Sequence, residues 1–154
     1  MKSKQRGFTL IEILLVMGII AILAAVVIVA INPARQFAQA RNTQRTSNVF
    51  SILNAIGQNM SDHQGVFECP AGVIPTATTT LKSNGGYNIA DCIVPTYMPV
   101  LPHDPSAPGA HVTSSTDYDT GYVISYDSAT NRITVAAPYA LNQSELSQNI
   151  KAIR

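Results

Sequence analysis

A chain of 154 residues has room for one compact domain beyond any long segment, and its formal net charge of +1 hides an uneven distribution. Residues 63–154 carry Lys82, Arg132, Lys151 and Arg154 against Glu68, Asp91, Asp104, Asp117, Asp119, Asp127 and Glu145, a balance of −3 that excludes a strongly basic nucleic-acid surface. Two cysteines are too few for a full structural zinc site.

The chain opens on a basic leader, Lys2, Lys4 and Arg6, which runs directly into an apolar segment over residues 8–31. Glu12 is its only charged residue. As a helix this segment would be roughly 36 Å long, enough to cross a bilayer. It is too long for the apolar core of an ordinary secretory signal, although the small residues Ala21, Ala24 and Ala25 imitate a cleavage site. The leader's cations hold that end in the cytoplasm by the positive-inside tendency, so the rest of the chain faces outward. A carboxylate within such a segment costs about 2.5–3.5 kcal/mol at a helix centre and less near an end, so Glu12 needs a partner. Cleavage between Gly7 and Phe8 would create one: the new α-amino group of a neighbouring copy, shifted along the axis, can meet the carboxylate. The alternative is an uncut single-pass anchor with a tolerated acid.

The run Gly7-Phe8-Thr9-Leu10-Ile11-Glu12, followed by the long apolar helix, resembles the class III signal of type IV pilins and type II secretion pseudopilins. The resemblance covers roughly the first 60 residues. It implies cleavage after Gly7 by a prepilin peptidase, N-methylation of Phe8, and assembly through Phe8 and Glu12. The implied location is the inner (cytoplasmic) membrane with the head outside the cytoplasm, followed by an extracellular pilus or a periplasmic pseudopilus. The implied partners are further copies in a helical filament, the peptidase, an inner-membrane assembly platform and, before assembly, lipid; no nucleic acid is expected.

Asn32-Pro33 ends the apolar run, and residues 32–62 form an amphipathic half in which Val49, Phe50, Ile52, Leu53, Ile56 and Met60 recur at spacings of three and four on one helix face. Pro33 should kink or loosen the rod, because an interior proline removes a hydrogen bond and clashes with the preceding turn. Arg35, Arg41 and Arg45 read as a solvated face near lipid headgroups or as partners for acids of adjacent heads. The helix should stop near residue 62.

Residues 63–120 are rich in Pro, Gly, Ser and Thr, and the prolines exclude long helices and interior strands. Cys69 and Cys92 both fall here, on the outward side, where a disulfide is favoured over free thiols. It would close a ring of about 24 residues and stabilise by about 3.4 kcal/mol on the chain-entropy estimate. His63, His103 and His111 have no ligand spacing. Leu101-Pro102-His103-Asp104-Pro105 is weakly similar to a segment of some major pseudopilins, certain of which bind calcium. Asp117, Asp119 and Asp127 are the oxygen ligands available for that ion, but their spacing is no EF-hand loop and solvated turn aspartates are the default. No other cofactor is expected.

Residues 121–126 and 132–137 are rich in β-formers and flank a turn-like Asp127-Ser128-Ala129-Thr130-Asn131, an antiparallel hairpin. A further strand lies within residues 146–153, and residues 121–154 make the sheet region. A hairpin alone is marginal in water, so it must pack on the amphipathic helix. The expected fold is α+β: a long N-terminal helix laid across a small antiparallel sheet. Residues 1–7 are the leader and 8–31 the transmembrane and assembly helix. No nucleophile elbow, phosphate loop or zinc motif appears, so a structural filament subunit is expected rather than an enzyme. The other readings are a minor tip subunit that binds DNA or surfaces, and the uncut anchor.

Overall fold

The computed structural model describes residues 7–142 and 149–154. The chain divides into two units, Met1–Gln36 and Phe37–Arg154. The first is dominated by α1 (Leu10–Ile31), in which no residue is buried and which is long and apolar enough to cross a membrane. A helix that is apolar all round has no face to offer water.

The helical run is interrupted at Asn32, which takes a left-handed conformation (φ 47°, ψ 80°) that asparagine tolerates better than most residues. A second helix, α2 (Pro33–Asp62), starts immediately after it. Pro33 therefore occupies the first helical position, where a missing N–H leaves nothing unsatisfied, instead of a helix interior. The Asn32 carbonyl and side-chain oxygen both accept from the Arg35 amide, at 3.1 and 3.3 Å.

In the second unit α2 ends at Asp62, followed by Gln64 and Gly65 with positive φ; the Gly65 amide bonds the Met60 carbonyl at 2.7 Å. Five strands follow: β1 (Thr79–Lys82), β2 (His111–Ser114), β3 (Asp117–Asp127), β4 (Arg132–Ala137) and β5 (Ile150–Ile153). The sheet is antiparallel in the order β1-β3-β4-β5, with β2 paired to the start of β3. The hairpin read from sequence is β3–β4, but β3 begins four residues earlier than expected, at Asp117. β5 supplies the last expected strand from Ile150 onward; Leu146 lies outside the described residues. The short β1, β2 and α3 (Ala90–Ile93) arise within the Pro- and Gly-rich stretch. No proline lies within β1 or β2, consistent with the ladder's need for donors.

One buried cluster joins Val49, Ile52, Leu53 and Ile56 of α2 to Tyr118, Tyr122 and Ile124 of β3 and Val135 of β4. Alternate residues of β3 (Tyr118, Thr120, Tyr122, Ile124) face this core, as strand geometry requires. This α+β arrangement is pilin-like. Phe50 departs from the expected apolar face: it is 52% exposed, one position around the helix from Val49 and so turned about 100° away from it.

Candidate processing and assembly site

Gly7 and Phe8 precede the first helix in non-helical chain, with Phe8 84% exposed and no described residue within 4 Å of a Cβ added at Gly7.

Thr9 is the N-cap of α1, in extended conformation. Its hydroxyl oxygen accepts from the Glu12 amide at 3.3 Å, and the Glu12 carboxylate in turn accepts from the Thr9 amide at 2.8 Å and the Thr9 hydroxyl at 2.7 Å. This reciprocal arrangement is a capping box: the acid satisfies donors at the helix start and sits where the helix dipole favours negative charge. Glu12 thus has partners within its own chain. Thr9 escaped the sequence reading as a site residue, although the Thr-x-x-Glu spacing is its signature.

The three arginines after the apolar segment separate. Arg35 is exposed and Arg41 partly buried, whereas Arg45 is fully buried. Arg45 neither lines a solvated face nor awaits an adjacent head. Its Nε and one terminal nitrogen donate to the two Asp104 oxygens at 2.6 and 2.8 Å, with further bonds to Asn42 and Ser106. Asp104 also accepts from the Ser106 and Ala107 amides, both at 2.9 Å. Beside this pair Asn48 donates to the Tyr122 hydroxyl at 2.8 Å and to the His103 carbonyl. The polar stripe clamps the 101–107 segment to α2.

Cys69 and Cys92 form a disulfide, with their Cα atoms 4.9 Å apart. Buried Asn59 holds both sides of that ring: its amide nitrogen donates to the Glu68 and Cys92 carbonyls, and its oxygen accepts from the Glu68 amide.

The calcium candidates are not brought together. Asp117 lies beside His111 (3.3 Å), Asp119 accepts from the Gly121 amide, and Asp127, at the far end of β3, closes the β3–β4 turn through Ala129 and Thr130. Among the described residues no group of three or more His, Cys, Asp or Glu side chains is placed to hold a metal.

An apolar helix without a core of its own and a self-capped acid in its first turn fit a membrane-anchored, pilin-like protein. Residues 2–28 match the family described as the prokaryotic N-terminal methylation motif. Over 82 residues the chain is 40% identical to prepilin peptidase-dependent protein D of Escherichia coli (strain K12), covering 51% of this chain and 53% of that protein. The chain thus spans about half the length of the curated relative it matches. No solved structure matches it.

Proposed function

We propose that the chain is a structural subunit, a pilin or major-type pseudopilin, of a helical filament of the type IV pilus or type II secretion kind. A prepilin peptidase cuts the Gly7–Phe8 bond, Phe8 becomes the methylated N-terminus, and α1 leaves lipid for a filament core at an inner-membrane assembly platform. The observation that carries this reading is the wholly unburied apolar α1 with its one carboxylate at Glu12. Gly18, Ala21, Ala24 and Ala25 along α1 allow neighbouring helices to approach closely. The role is mechanical and uses no cofactor, calcium included. Glu12 favours incorporation along the shaft, and the acidic head disfavours DNA as a ligand.

Intact-mass and N-terminal analysis of protein from sheared surface or pseudopilus material tests it. The expected result is abundant chain beginning at methylated Phe8; uncut chain confined to the membrane would replace the reading with a single-pass anchor.

A further inference from the structure

The bend that follows β1, Ser83-Asn84-Gly85-Gly86, contains the one asparagine in the sequence that is followed by glycine. Asn84 and Gly85 are both exposed, and Gly85 stands at φ +71°, a conformation glycine adopts without strain. The Tyr87 amide closes the bend on the Thr80 carbonyl at 2.9 Å, and a Cβ at Gly86 would collide with that same oxygen.

Other asparagines of the head are held in place. Asn48 and Asn59 are buried and donate to the Tyr122 hydroxyl and the Cys92 carbonyl, while Asn88 and Asn131 accept from the Tyr118 and Tyr126 hydroxyls. By contrast, neither the Asn84 carboxamide nor the Gly85 N–H hydrogen-bonds to any group among the described residues. Lys82 reaches over the same bend, its Nζ 3.9 Å from where a Gly85 Cβ would stand.

We propose that Asn84-Gly85 is a site of spontaneous deamidation, promoted by Lys82. The Gly85 nitrogen loses its proton to hydroxide and bonds to the Asn84 side-chain carbonyl carbon. The bond from that carbon to the amide nitrogen then breaks, and ammonia leaves with a proton taken from water. The cyclic imide so formed takes up one water and opens at either carbonyl, giving aspartate or, with the backbone rerouted through the side chain, isoaspartate. A bare Gly85 leaves the approach open, and a cation over it favours both the deprotonated nitrogen and the oxyanion of the tetrahedral intermediate. The product sets a carboxylate near Lys82 and adds one negative charge to the balance of −3 over residues 63–154, so that an aged head differs in charge from a new one.

The test incubates the full chain in lipid nanodiscs at neutral and mildly alkaline pH, in ordinary and in ¹⁸O-labelled water, and follows residue 84 by peptide mapping with mass spectrometry. Asn84 should convert ahead of every other asparagine, at a rate that rises with hydroxide, and carry the label in a mixture of aspartate and isoaspartate. Direct hydrolysis of the side chain would give aspartate alone. Lys82→Gln should slow the conversion severalfold and Lys82→Arg should restore it, whereas Gly85→Ala should slow it further than either. An Asn84 that stays amidated, a product that is aspartate alone, or equal rates in wild type and Lys82→Gln would overturn the proposal.

Discussion

Removing the Arg45 guanidinium would strand a carboxylate where no water reaches it. Both side chains of the Arg45–Asp104 pair are wholly inaccessible, so Arg45→Met should destabilise the head by about 3–5 kcal/mol, visible as a lowered denaturant midpoint. Burial pushes the Asp104 carboxyl up, but hydrogen bonds and charge from Arg45, with the Ser106 and Ala107 amides, more than offset it and hold the group below its ordinary 3.8. As pH falls, the unfolded chain takes up the proton first. The pair's contribution is therefore complete above the unfolded value and is lost as pH drops through the lower folded one. Thermal scans should show no loss from this group between about pH 7 and 5, and a fall in Tm below about pH 4 that Arg45→Met largely abolishes. None of this was legible in the sequence. Asn42, Arg45, Asn48 and Asn59 share the buried stripe of α2 with Val49 and Ile52, but polar side chains read as solvent-facing, and the acid that reverses this for Arg45 lies 59 positions away.

Elements differed in how plainly the chain announced them. The β3–β4 hairpin was readable because alternate β3 residues enter the core and a run of turn-formers separates it from β4. β1 and β2 have four residues each, too few to display a period, and owe their pairing to β3. Within β3, Gly121 sits at φ +71°, and an added Cβ would come within 3.0 Å of the Ala107 Cβ and 3.1 Å of the Asp104 Cβ. Gly121→Ala should therefore cost more than about 1 kcal/mol and loosen the 101–107 segment, measurable as faster amide exchange there. The disulfide anchors the far end of α2 through Asn59. Paired Cys69→Ser and Cys92→Ser substitutions should lower stability by about 2–4 kcal/mol, and a melting temperature equal to that of wild type would contradict that estimate.

For the molecule as a whole, the two units derive stability from different sources. The second unit has a core and a disulfide of its own, whereas α1 has no buried residue and gains only from lipid or from other helices. Substitutions should separate accordingly. Glu12→Ala should leave head melting and cleavage near normal while reducing filament yield severalfold, as measured by shearing and immunoblot; normal yield would remove any assembly role for the carboxylate. Gly7→Phe should raise the ratio of precursor to mature chain without altering the head, since no described residue lies within 4 Å of a Cβ added there.

The left-handed residue at Asn32 makes the two helices separate cooperative units. Helix grows or frays by adding or losing one hydrogen bond at an existing end, and starting a new end is the costly step. Because α2 begins from its own capped turn on Asn32 and Pro33 offers no amide to the preceding turn, unwinding that starts in α1 reaches a boundary and stops there. Under tension, α1 would lengthen in a step of its own with α2 still folded: an extensible joint built from one backbone conformation.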